Sequence, residues 1–192
     1  MRIIPKDEFV KDILAYADML HEGAVFIYPT DTLYGIGCDA RRPGLIQRVR
    51  NIKINHRQAM SVIAPSKKWI KDNLVYKKEF DEWFGKLPGP YTLIMEVKNK
   101  ECVYMQDVNP HNNTLGVRIP NHWIADVVKK LGFPIITTSL NIHGEPPCKS
   151  LAHISHNIKI MTDFAIDEGI IDGKPSTLID LTQTPPKIIE RK

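Results

Sequence analysis

Apolar positions recur along this chain at two spacings, and the switching between them predicts helices interleaved with strands. Phe9, Val10, Ile13, Leu14 and Ala17 repeat on one helical face, so residues 7 to 22 read as an amphipathic helix, with Asp7 capping its start and Gly23 ending it. The run Ala24-Val25-Phe26-Ile27 is apolar without interruption and predicts a buried strand over 24–28. Leu45, Ile46, Val49 and Ile52 mark a helix over about 43 to 53, and Met60-Ser61-Val62-Ile63-Ala64 a short strand stopped by Pro65. Residues 66 to 86 read as two short helices that Pro88-Gly89-Pro90 ends. Tyr91 to Val97 alternates as a strand does, whereas Lys98 to Asn113 is polar and predicts a long loop.

The second half repeats the scheme. Thr114 to Ile119 is a strand, and Pro120 separates it from a helix capped by Asn121, lined by Ile124, Val127, Val128 and Leu131 and closed by Gly132. Ile135-Ile136-Thr137-Thr138 returns to the sheet, Ser150 is placed to cap a helix over 151 to 158, and two last strands fit Thr177 to Leu181 and Lys187 to Ile189. Strands alternating with helices predict an α/β fold, and the adjacent late strands predict mixed pairing: a single twisted mixed β-sheet with flanking helices. No repeat, low-complexity tract or linker divides the chain, so 1–192 reads as one domain.

Composition narrows the class. A chain of 192 residues, 43% apolar and 25% charged, has the ordinary balance of a globular domain, and at this length folding buries roughly 70% of the unfolded surface. No apolar run approaches the ~20 residues of a membrane helix, and the start turns acidic at Asp7 and Glu8 before a signal-peptide core develops. Cys38, Cys102 and Cys148 are odd in number and widely spaced, which suits a reducing cytoplasmic setting better than disulfides or a zinc knuckle. The net charge of +4 is mildly basic. Lys67, Lys68, Lys71, Lys77 and Lys78 cluster, but Asp72, Glu79, Asp81 and Glu82 dilute them. They read as a solvated helical face, with a nucleic-acid patch as the open alternative.

The chemistry concentrates at strand ends. Tyr28-Pro29-Thr30-Asp31-Thr32-Leu33-Tyr34-Gly35-Ile36-Gly37 packs hydroxyls, a carboxylate and two glycines directly after a buried strand, where a small polar ligand can be held. Gly35-x-Gly37-x-x-Ala40 matches a dinucleotide fingerprint only formally, because the strand ends too early and Pro43 falls at the expected helix start. Gly144 to Ser150 has the outline of a P-loop but lacks its second glycine, and Pro146-Pro147 removes donors that a phosphate cradle needs. Thr137-Thr138-Ser139-Leu140-Asn141 is a second hydroxyl cluster at a strand end, readable by itself as a simple turn. Arg118 lies inside an apolar strand and requires an anionic partner if buried. His153 and His156, with Cys148 nearby, lack a third metal ligand, and no metal site is expected. Trp69, Trp83 and Trp123 fall on apolar helical faces and read as core.

Taken together, the 28–40 stretch, Pro88-Gly89-Pro90-Tyr91-Thr92, Gly116-Val117-Arg118-Ile119-Pro120, Ser139-x-Asn141 and Pro175-Ser176-Thr177-Leu178-Ile179-Asp180 resemble the signature blocks of the YrdC-like family, from about residue 8 to 191. The resemblance implies a YrdC-like fold and L-threonylcarbamoyladenylate synthase activity. In that reaction L-threonine, bicarbonate or CO2 and ATP, with Mg2+ on the phosphates, give threonylcarbamoyl-AMP and pyrophosphate. A downstream transferase then places the group on a tRNA adenosine. It further implies that Thr32 and Arg118, with Ser176 nearby, hold threonine; that Lys53 and Arg57 act on carboxylate and phosphates; and that Ser139, Asn141 and Arg191 hold the nucleotide. Leu140 stands where the family usually has Ala, which implies a slightly reshaped pocket. The family's K-x-R is broken here, with Lys53 retained and Asn55 in the arginine position. Lys53, Asn55 and Arg57 alternate, so an extended segment would bring Arg57 inward as the substitute cation. Two other readings stay open: an RNA-binding relative (tRNA or double-stranded RNA) without adenylate chemistry, and, ranked lowest, a carbamoyl-adenylate enzyme.

Overall fold

The computed structural model describes residues 1–54, 57–142 and 144–191. Among them, ten strands build one sheet: β1 (Arg2–Pro5), β2 (Phe26–Tyr28), β3 (Gly35–Gly37), β4 (Ser61–Ile63), β5 (Tyr91–Glu96), β6 (Thr114–Arg118), β7 (Ile135–Ser139), β8 (Phe164–Asp167), β9 (Thr177–Asp180) and β10 (Lys187–Ile189). Their spatial order is β1-β8-β2-β3-β7-β4-β6-β5-β9-β10. β8 runs parallel to β1 and β2, β4 to β6, and β5 to β9, while the other neighbours are antiparallel. The mixed pairing expected from the sequence is present.

Alternation along the strands divides the core in two. Phe26 and Tyr28 pack with Phe9, Tyr16, Leu20, Val127 and Phe164, whereas Ile27, between them, packs with Val49, Val62, Val117 and Ile136. Helices Ile13–Glu22 and Ile124–Leu131 cover the first face, and helix Pro43–Lys53 covers the second. A sheet buried on both faces explains why its strands are short continuous apolar runs. Trp69, Trp83 and Trp123 pack against these clusters, as expected.

Several elements depart from the sequence reading. β1 buries only Ile4 and β8 is four residues long, too little pattern to register. β3 forms inside the stretch read as a loop, because its glycines leave room for a ring. A Cβ on Gly37 would lie 2.4 Å from the Ile136 carbonyl oxygen and 2.7 Å from the Tyr28 ring. Helix 7–22 is broken at Asp12 into Lys6–Lys11 and Ile13–Glu22, although Gly23 ends it in the left-handed region (φ 115°) as expected. Asn121 does not cap the next helix, which Trp123 begins; its N–H is instead bonded to Asp31. The 98–113 segment contains a helix, Met105–Val108, and the buried Arg50 side chain anchors it by donating to the Asp107 carbonyl oxygen. Ser150 caps a single 3-10 turn, Leu151–His153, and Ser155 caps a separate helix, His156–Met161, so His153 and His156 share no element.

Candidate active site

The residues singled out at separate strand ends meet at one cavity of about 290 Å³. Thr30 and Thr32 reach it from the turn after β2, Arg118 from the end of β6, Ser139 and Asn141 from the end of β7, Thr92 from β5, and Ser176 from just before β9. Lys53 enters from the last turn of its helix, and Arg191 folds back from beyond β10. The open end of an α/β sheet gathers side chains from strands far apart in sequence, which makes it a usual place for a binding site.

Arg118 is held on one edge. Its Nη1 donates to Thr32 Oγ1 at 3.0 Å, and its Nη2 pairs with Asp31. Asp31 Oδ2 in turn accepts the Asn121 N–H at 2.9 Å. The Arg118 Nε is buried with no hydrogen-bond partner among the described residues. Burial pulls this guanidinium below its ordinary value, and the Asp31 charge opposes the shift. Beside it, Thr92 Oγ1 and Ser176 Oγ lie 2.7 Å apart, and Arg191 donates to Ser176 Oγ (2.6 Å) and to the Ser176 carbonyl oxygen (2.9 Å). Arg191 is likewise lowered by burial and then by the nearby Arg118 charge.

Lys53 Nζ donates to the Ser139 carbonyl oxygen at 2.8 Å and to Asn141 Oδ1. Asn141 Oδ1 also accepts from Ser139 Oγ at 2.7 Å, and Asn141 Nδ2 donates to the Glu145 carbonyl oxygen. Among the described residues, one Asn141 N–H and a Ser139 lone pair therefore remain for a ligand. Burial pushes the Lys53 ammonium down to about 8. Lys53, Arg118 and Arg191 thus face one cavity, whose lining also includes Glu145, while Asp31 pairs with Arg118; the three cations outnumber the two carboxylates, an arrangement that attracts anions.

Among the sequence candidates, Thr32, Lys53, Arg118, Ser139, Asn141, Ser176 and Arg191 all line the cavity. Arg57 does not: it is exposed, and His111 Nε2 contacts its carbonyl oxygen at 2.7 Å. The extended alternation proposed to bring it inward fails at its start, since Lys53 is helical and Ile54 ends the helix in the left-handed region (φ 51°). Asn55 lies outside the described residues. Leu140 is fully buried in the core and is not among the residues that line the cavity. The sequence reading passed over Thr30, Asp31 and Thr92 individually, although all three stand in the blocks it quoted. Burial pushes the thiols of Cys102 (to about 11) and Cys148 up, which holds them as thiols rather than nucleophilic thiolates.

Comparison with known proteins fits this geometry. The Sua5/YciO/YrdC family model, described as "Telomere recombination", matches residues 18–192. The chain belongs to the Sua5/YciO/YrdC family. Curated relatives of this Sua5/YciO/YrdC protein include the threonylcarbamoyl-AMP synthases of Xanthomonas euvesicatoria (29% identical, 85% of this chain and 87% of the relative) and Vibrio campbellii (28% identical, 84% and 89%). Among solved structures, P. abyssi Sua5 in complex with L-threonine superposes with a TM-score of 0.84 at 28% identity over 97% of this chain, which spans 56% of that longer protein. E. coli YciO, at 23% identity, shares the fold with a TM-score of 0.86 over 99% of this chain and 94% of its own.

Proposed function

We propose that this chain is an L-threonylcarbamoyladenylate synthase, a nucleotidyltransferase that joins L-threonine, bicarbonate or CO2 and ATP into threonylcarbamoyl-AMP with release of pyrophosphate. The observation that carries the reading is the convergence of Lys53, Arg118 and Arg191 with the Thr32, Ser139 and Ser176 hydroxyls on one cavity. The relatives named threonylcarbamoyl-AMP synthase and the threonine-bound Sua5 support it.

Such a site works by positioning and charge. Thr32 and Arg118, with Ser176, take threonine, the arginine facing its carboxylate. Ser139, Asn141 and Arg191 take the nucleotide, and Lys53 neutralises charge on the reacting carboxylate and phosphates as pyrophosphate departs. Among the described residues no group of three or more His, Cys, Asp or Glu could hold a metal ion. Mg2+ would arrive on ATP as part of the substrate, where it offsets phosphate charge. Arg57, next to the cavity-lining Gln58, belongs to this proposal only as a cation adjoining the site. The product would pass to a tRNA transferase in the cytoplasm. Among the described residues no helix is long and apolar enough to cross a membrane.

The reading is tested by pyrophosphate release from MgATP. Release that requires both threonine and bicarbonate supports it, and release indifferent to either overturns it.

A further inference from the structure

His122 stands just beyond Arg118, between β6 and helix Ile124–Leu131, and both of its ring nitrogens are engaged. Nδ1 lies 3.4 Å from the Ile124 backbone nitrogen. A backbone N–H can only donate, so Nδ1 accepts there and carries no proton. The ring proton of the neutral imidazole is therefore on Nε2, which lies 2.9 Å from Glu168 Oε2. Glu168 is itself fixed. It pairs with Lys6 at the start of the first helix, accepts from Trp123 Nε1 at 2.9 Å, and its backbone N–H donates to the Tyr34 hydroxyl at 2.9 Å. Tyr34 lines the cavity. The imidazole is thus clamped between a helix start and the end of β8.

The peptide next to this ring aims the Asp31–Arg118 pair. Asn121 N–H donates to Asp31 Oδ2 at 2.9 Å, and Asp31 Oδ1 pairs with Arg118. Among the described residues, the charged groups that act on the imidazole are Glu168 beyond β8, Asp31 from the turn after β2 and Lys6 from the first helix. Burial is the largest influence and holds His122 below its ordinary value of about 6.5, ahead of the opposing pull of Glu168 and Asp31. We propose that His122 is a positioning residue for Arg118: neutral and tied to Glu168, it fixes the Asn121 peptide on Asp31, and a proton on its Nδ1 releases that hold. The protonated ring sets an N–H against the Ile124 N–H, where two donors cannot bond, and it adds a cation that competes with Arg118 for Asp31. Glu168 does not share this titration. Burial would raise it, but the hydrogen bonds from Lys6 and Trp123 outweigh burial and hold the carboxyl below its ordinary value. The inference rests on the reading that Arg118 faces the threonine carboxylate.

Calorimetric titration of L-threonine, with MgATP as the second ligand, tests this from about pH 5 to about pH 7, where histidine is the side chain whose charge ordinarily changes. Threonine affinity of the unmodified protein should be level near the upper end. It should then fall as the pH drops through the lowered His122 value, by up to about tenfold per pH unit, the slope of one linked proton. His122→Gln keeps a donor for Glu168 and carries no charge, so the acid decline should disappear. His122→Leu cuts both ring bonds and should weaken threonine by at least about tenfold, within the roughly 100-fold cost of a misplaced binding group, with MgATP much less affected. A general loosening of the fold would instead weaken both ligands alike and leave the acid decline in His122→Gln. Equal losses of the two ligands in His122→Leu, an acid decline that persists in His122→Gln, or a level profile in the unmodified protein each overturn the inference. If His122→Leu does not fold, the other two profiles still decide. Failure of the unmodified protein to bind threonine at any pH overturns the functional reading instead, and this inference falls with it.

Discussion

Gly173 lies against the backbone of Thr32: a Cβ built on it would stand 2.0 Å from the Thr32 carbonyl oxygen. The loop between β8 and β9 therefore presses on the turn that carries the Thr30–Thr32 pair. No side chain fits between them, and backbone on the far side cannot swing away as a flexible side chain would.

Gly173→Ala is accordingly expected to move Thr32 and to weaken threonine binding by up to about 100-fold, the scale of a 1 Å misplacement at a reacting site. Nucleotide binding, proposed at Ser139 and Asn141 on a different strand end, should change much less. Titration of both ligands checks this, and equal losses for the two would assign the effect to general unfolding.

Lys53 gives a pH dependence. Its ammonium is pushed down to about 8 by burial, whereas lysine in water keeps its proton to above 10. The cation is present below this value and lost as the pH rises through it, so affinity for ATP should decline above about pH 8. Lys53→Met should bind weakly and show a flat profile in this range. A profile unchanged by that substitution would remove Lys53 from the phosphate site. Lys53→Ala should also cost far more activity than Arg57→Ala, because Lys53 lines the cavity and Arg57 does not.

Asp31 and Arg118 form a buried pair, with side chains 12% and 6% exposed. Breaking such a pair strands a charge, so Asp31→Ala should destabilise the fold by about 3–5 kcal/mol. It also removes the acceptor of the Asn121 N–H. Asp31→Asn keeps an acceptor and should lose less. A urea midpoint of Asp31→Ala indistinguishable from that of the unmodified protein would show the pair to be energetically idle.

Much of this site is legible in the sequence because its polar residues interrupt apolar strands. Arg118 within Val117-Arg118-Ile119, and Ser139 and Asn141 flanking the buried Leu140, stand out against a hydrophobic background. Arg57 stands out equally but does not line the cavity. Its placement depends on where the preceding helix stops, and the left-handed Ile54 carries no glycine signal for that stop. β3 was hidden for the converse reason: Gly-Ile-Gly has little strand propensity, and only the Tyr28 ring lying across it explains the pairing. β1 was hidden because an edge strand that buries one residue has no pattern to read.

The central claim is that this cavity carboxylates and adenylates threonine. The direct measurement incubates the protein with MgATP, L-threonine and isotopically labelled bicarbonate, then separates the nucleotides. The account expects label in threonylcarbamoyl-AMP, with pyrophosphate formed in equal amount, and loss of both in Arg118→Ala and Lys53→Ala. Absence of labelled nucleotide from a folded protein that binds RNA in a salt-sensitive manner would contradict it and favour the RNA-binding alternative.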